Sequence, residues 1–228
     1  MGNMVTYRCN SGTGEGYLAV PSSGAASPAV IVIQDWWGLA PHVRAVVDRF
    51  AEAGFVALAP DLRHGEPASK PDEPRQMLNN GQLNAAAADV AAAADYLAGR
   101  SEVTGKIGCV GFCAGASLAL WSAARTERIV ATSAFYPRLP WEGMHPEWTD
   151  YTGKAAAIHC SEADGASVDA GVQLVRRAIE AAGGACQIYD YPGTAHAFFN
   201  EDRPENFDQR AATTAWARTL ELFRAKLG

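Results

Sequence analysis

The chain is poor in the features that mark several protein classes. Its five cysteines (Cys9, Cys109, Cys113, Cys160 and Cys186) are an odd number with no CxxC pair and none of the close spacing of a disulfide framework, so reduced thiols are expected. His159 and Cys160 are neighbours on a strand-like run and would point to opposite faces, which speaks against a metal site. Basic charge is scarce: 19 Lys+Arg against 25 Asp+Glu give a net charge of −6. With no cationic surplus, nucleic acid and anionic membrane surfaces are poor partners. Long apolar runs are missing as well, since residues 28–33 and 84–98 are too short or too interrupted by polar side chains to span a bilayer. The first ten residues lack the charged start and apolar run of a secretory signal, and a cytoplasmic location is expected.

What is present is the composition of an ordinary globular protein. With 228 residues, 48% hydrophobic and 19% charged, the chain can bury a sizeable core, and a single domain over residues 1–228 is expected, a monomer by default. Runs rich in Val, Ile and Ala at residues 29–33, 55–59, 106–110, 129–134, 155–159 and 187–191 read as strands. Between them, residues 42–53, 83–98, 114–124, 168–182 and 207–226 carry helical spacing, with Gly54, Gly99 and Gly183 as stops. This alternation predicts an α/β fold, a mostly parallel twisted sheet with helices on both faces. Residues 5–7 and 17–20, punctuated by Gly12, Gly14 and Gly16, predict a small antiparallel hairpin at the N-terminal edge. Two longer irregular stretches, 63–82 and 137–153, follow strand ends, where open α/β sheets bind ligands.

The chemistry concentrates at four strand ends. Gly111-Phe112-Cys113-Ala114-Gly115 follows a buried run and opens a helix, fitting G-x-C-x-G. At such a nucleophile elbow the flanking positions must be small because strand and helix backbones pass closely, and Gly111, Gly115 and Ala116 meet that demand. The turn puts Cys113 at a helix N-terminus, where the dipole and free amides favour a thiolate and can stabilise an oxyanion. A buried structural cysteine flanked by glycines is the bland alternative, and Cys109 is best read that way. Downstream, Asp164 follows the run 155–159 and His196 follows the run 187–191, so the order is nucleophile, acid, histidine. His196 would act as base and Asp164 would orient it, with Glu162 as the rival acid. Asp35 ends the first buried run beside Trp36 and Trp37; it could modulate the thiol or simply cap a turn. The amides of Trp36 and Ala114 are the candidate oxyanion donors.

Taken together, Gln34-Asp35-Trp36-Trp37-Gly38-Leu39, Ala59-Pro60-Asp61-Leu62, Gly111-Phe112-Cys113-Ala114-Gly115, the loop ending in Asp164, and Gly193-Thr194-Ala195-His196-Ala197-Phe198 resemble the dienelactone hydrolase family of α/β-hydrolases, the carboxymethylenebutenolidase-like enzymes. The resemblance implies an α/β-hydrolase fold, a Cys113-His196-Asp164 triad and no metal or organic cofactor. It implies a small-molecule lactone or activated ester as substrate, cleaved through a thioester acyl-enzyme. Position 35 is commonly glutamate in that family, where it is thought to hold the resting thiol; here it is the shorter Asp35. The family's type enzyme binds its substrate carboxylate with two arginines. At one of those positions this chain has Asn200; Arg75 falls near the other, with Arg203 and Arg138 as spatial alternatives. Trp37, Phe112, Tyr136 and Phe198 would supply apolar pocket walls. A catalytically silent fold that binds small molecules or senses oxidants through Cys113 is the alternative.

Overall fold

The computed structural model describes residues 1–9, 12–35, 38–65, 80–139 and 148–228. Strands β1 (Asn3–Cys9), β2 (Gly12–Ala19), β3 (Ser27–Ile33), β4 (Val56–Pro60), β5 (Val103–Phe112), β6 (Ile129–Phe135), β7 (Ala155–Ser161) and β8 (Ala185–Tyr191) form one sheet. Its order is β1-β2-β4-β3-β5-β6-β7-β8. The β1–β2 and β2–β4 pairings are antiparallel and every other pairing is parallel, so the expected N-terminal hairpin sits on the edge of a parallel sheet.

Strand periodicity explains the two layers of helix. In β3, Ala29, Ile31 and Ile33 face a core shared with α2 (Asn80–Ala98), α3 (Ala114–Ala123) and α4 (Gly165–Ala181). Val30 and Val32 face the other core, shared with α1 (Pro41–Glu52) and α5 (Gln209–Leu227). Every residue from Ala29 to Ile33 is fully buried, as a strand covered on both faces must be. Alanines at 87, 93 and 94 let α2 lie close on the sheet. Among the described residues no helix is long and apolar enough to cross a membrane.

Element boundaries differ from the sequence reading where side chains outside the hydrophobic pattern decide them. Helix α1 starts at Pro41, whose fixed φ suits the first helical position. Helix α5 starts at Gln209 because the Asp208 carboxylate accepts the Ala211 amide at 2.8 Å and caps it. Strand β5 runs on through Gly111, which pairs with Ile33 on one side and Ala134 on the other.

The sheet places a crevice between β3 and β5. The chain moves outward from β3 to β4 and then returns to the other side of β3 as β5, so the ends of β3 and β5 diverge into loops of opposite direction. Cys113 and Asp35 stand at those two ends. Backbone packing here is tight: a Cβ on Gly111 would overlap the Gly115 carbonyl, and one on Gly115 would overlap the Gln34 carbonyl. Gly115→Ala is therefore expected to lower folding stability by about 3 kcal/mol or more, because backbone rather than a flexible side chain must yield. Urea unfolding reads this directly, and a midpoint equal to wild type would contradict it.

Candidate active site

Cys113 joins β5 to α3 with φ 54° and ψ −118°, a conformation that L-residues rarely adopt. Pairing on both sides imposes it. The Cys113 amide donates to the Phe135 carbonyl at 3.0 Å, and the Cys113 carbonyl accepts from the Ala116 amide at 3.1 Å as the first turn of α3 closes. The side chain stays partly exposed, whereas Cys109, four residues earlier, is fully buried with its thiol pushed far up by burial. Ala114 opens α3, so its amide has no acceptor within the helix.

Asp164 and His196 meet. Nδ1 of His196 lies 2.6 Å from Oδ1 of Asp164, with the carboxylate side chain only 5% exposed and the imidazole 22%. The second Asp164 oxygen accepts a short hydrogen bond from the Ser161 hydroxyl at the end of β7. Both loops are stapled together: the Ala163 amide donates to the Thr194 carbonyl at 3.2 Å, and the Gly193 amide donates to Glu162 Oε2 at 2.5 Å. Glu162, the rival acid, thus holds the histidine loop by its backbone and leaves the imidazole to Asp164.

Among the described residues Nε2 of His196 is buried without an aligned partner, yet the ring and the Cys113 thiol are near enough to shift one another. Such looseness is common before substrate arrives. Burial acts to lower the imidazole, but Asp164 and Cys113 outweigh it and raise His196 to about 9. Burial acts to raise the Cys113 thiol, and the hydrogen bonding and charge of His196, followed by those of Arg138, bring it below the usual value. Burial likewise acts to raise Asp164, and the hydrogen bonds from His196 and Ser161 hold it below the ordinary carboxylate range. Each group is shifted toward its charged form, which suits a thiolate–imidazolium pair backed by a carboxylate.

Arg138 follows β6 and is exposed; its backbone carbonyl accepts from the buried Ser117 hydroxyl of α3 at 2.9 Å. Its guanidinium acts on Cys113 and Asp164 together, whereas the sequence offers Arg138 only as a spatial alternative for a substrate carboxylate. Tyr136 has φ 39°, its amide donates to the His159 carbonyl at 2.6 Å, and its ring meets His196 edge-on at 5.0 Å. Burial, then the charges of Asp35 and Cys113, push the Tyr136 phenol up and keep it protonated. Phe112 and Phe198 are buried and pack with Phe135, Phe199, Tyr136 and Tyr191 as a floor beneath these groups. Asp35 lines a cavity of about 260 Å³ with His42, Asn200, Asp202 and Arg203. Trp36, Trp37 and Arg75 lie outside the described residues.

An elbow after the central strand, then an acid, then a histidine, each at a strand's carboxyl end, is the layout of an α/β-hydrolase. The chain belongs to the dienelactone hydrolase family: the family's sequence profile, "Dienelactone hydrolase family", matches residues 15–227. It is thus a hydrolase of the ester and lactone class. Protein usf of Aquifex pyrophilus is 30% identical over 238 residues, covering all of both chains. A chain of Aquifex aeolicus (strain VF5) named "Putative carboxymethylenebutenolidase" is 29% identical over the same span and coverage. A crystal structure from Klebsiella pneumoniae described as "Putative Dienelactone Hydrolase" superposes with a TM-score of 0.84 at 25% identity, over 98% of each chain.

The raised imidazole has a measurable sign. Because the folded value of about 9 lies above the unfolded value of about 6.5, protonated His196 adds stability that is full below the unfolded value and is lost as pH rises through the folded one. An NMR titration of His196 should show a midpoint near 9, and Asp164→Asn should lower it by about one unit or more. An unchanged midpoint in Asp164→Asn would show that the carboxylate does not sustain the imidazolium.

Proposed function

We propose that the enzyme cleaves a lactone or small activated ester through a thioester on Cys113, with His196 as base and acid and Asp164 as its orienting partner. The observation that carries this reading is the 2.6 Å Asp164–His196 hydrogen bond, on an imidazole coupled to a thiol held at a positive-φ elbow. The Cys113 sulfur attacks the carbonyl carbon, its proton residing on His196, and the carbonyl π pair moves to oxygen. The Ala114 amide, at the start of α3, would donate to that developing oxyanion, with the Trp36 amide as the second donor. Collapse of the intermediate breaks the C–O bond, the leaving alkoxide takes the proton from His196, and a thioester remains. Water then attacks the thioester carbon as His196 takes its proton. The second collapse releases the carboxylic acid and regenerates the thiolate–imidazolium pair.

Arg138 steadies the sulfur's negative charge at rest and after deacylation. Asp35 modulates the thiol from the end of β3, through the field it shares with Tyr136. Arg203 and Asn200, in the Asp35 cavity, suit a small acyl or alcohol group, with the buried Phe112, Tyr136 and Phe198 packed behind the triad. No metal or organic cofactor enters any step, and small molecules are the only partners the mechanism needs. The reading also takes the chain as one catalytic domain, monomeric and cytoplasmic.

With a chromogenic acetate ester, Cys113→Ala and His196→Ala should each lose about a thousandfold or more in kcat. Asp164→Asn should lose about a hundredfold or more, through the wrong imidazole tautomer. Wild-type rates in Cys113→Ala would discard the nucleophile. Absence of turnover across an ester and lactone panel, with stoichiometric capture of a ligand on Cys113, would instead favour a silent binding protein.

A further inference from the structure

Behind the site runs a buried hydrogen-bond chain that the mechanism does not use. Thr219 donates to the Ala215 carbonyl of its own helix α5 at 2.9 Å, so its single proton is taken. Ser133 of β6, 2.7 Å from the Thr219 hydroxyl, must then be the donor to it. With the Ser133 proton engaged, Nε2 of His159 at 3.1 Å is the donor to Ser133, which leaves Nδ1 as an acceptor in the neutral ring. Burial and the Arg218 charge keep His159 neutral, with a pKa lowered to about 3. The Tyr191 hydroxyl, 2.8 Å from Nδ1, therefore donates to His159 and accepts from Arg218 Nη1 at 3.2 Å. With Thr219 anchored on Ala215 the protons run in one direction, Nε2 of His159 also lying 3.4 Å from the Thr219 hydroxyl, and His159, Ser133 and Thr219 are fully buried.

Its members sit where the catalytic segments leave the sheet. Tyr191 ends β8, and its carbonyl accepts the Thr194 hydroxyl at 2.6 Å as the backbone turns toward His196. His159 lies two residues before Ser161, which holds Asp164, and its ring stacks on Phe135 at 4.4 Å. Phe135 in turn accepts the Cys113 amide. From this convergence we infer that His159 and Tyr191 are positioning residues: the directed chain from Arg218 through Tyr191, His159 and Ser133 to Thr219 sets the ends of β6, β7 and β8 so that His196 meets Asp164 and Cys113 together. The inference rests on the proposed triad and adds to it residues that touch no substrate.

The test compares Tyr191→Phe, which keeps the ring and removes one hydroxyl, with Thr219→Val and Thr219→Ser. Two readouts are taken on folded protein: kcat and KM with the acetate ester, and the His196 titration by NMR. In Tyr191→Phe and Thr219→Val, kcat should fall about tenfold with KM within about twofold, since small misplacement of a reacting group costs rate rather than binding. The His196 midpoint should fall by about half a unit, and Thr219→Ser, retaining the hydroxyl, should restore both values. If the chain only adds stability, the variants will melt earlier with kcat and the His196 midpoint unchanged, and the inference is overturned. Should Tyr191→Phe fold poorly, Arg218→Met removes the outermost donor, together with its stacking on Tyr189 and Tyr191, from a partly exposed position, with the same expectations in smaller measure. Should wild-type turnover prove independent of Cys113, the triad fails on its own. The His196 midpoint then decides the positioning claim: a shift in Tyr191→Phe sustains it and no shift rejects it.

Discussion

The site depends on one close passage of backbone, where β5 turns into α3 beneath the end of β3. Gly111 and Gly115 leave no room for a side chain, and the chain can make the corner only by forcing Cys113 to φ 54°. Such a conformation costs on the order of 1–3 kcal/mol, and it persists because Gly111 and Phe112 are paired in mid-sheet and α3 is buried along its length. The return is geometric. The sulfur stands clear of the sheet at a helix N-terminus, beside amides that no helix turn has claimed.

Around that corner, three shifts reinforce one another. A thiol, an imidazole and a carboxylate, all substantially buried, would each be driven toward neutrality if alone. Brought together, they favour one another's charged forms: Asp164 and Cys113 raise the imidazole, and His196 and then Arg138 lower the thiol. The arrangement requires that the loops after β7 and β8 keep their mutual distance. Glu162 to Gly193 and Ala163 to Thr194 are the bonds that hold it, while Ser161 fixes Asp164 within its own loop.

Much of this was legible in the residue order. Strands buried on both faces announce themselves as continuous Val, Ile and Ala runs, which is why β3 and β7 stand out, and glycines two places either side of Cys113 signal a backbone too close for side chains. Asp164 and His196 follow from their places after strands. Other features have no periodic signature. The choice between Asp164 and Glu162 turned on which carboxylate reaches the ring, and two residues of separation cannot reveal that. Arg138 belongs to the loop after β6, and only the fold brings it over Cys113. His159 read as one more strand residue; that its ring is hydrogen-bonded at both nitrogens depends on β8 and α5, which arrive far later in the chain. Strand ends likewise ran past glycine at Gly111 because pairing with Ile33 and Ala134 outweighs local propensity.

An acyl group carried as a thioester on Cys113 is what separates this account from an acyl-serine enzyme or a silent binding protein on the same fold. Rapid acid quenching during turnover of a slow ester, followed by peptide mass spectrometry, measures it directly. The account predicts the mass of the acyl group on the peptide that contains Cys113, accumulating in His196→Ala if deacylation is slowed more than acylation. An acyl group carried on a different residue, or turnover with no acylated peptide at any quench time while a slow ester is being consumed, would contradict it.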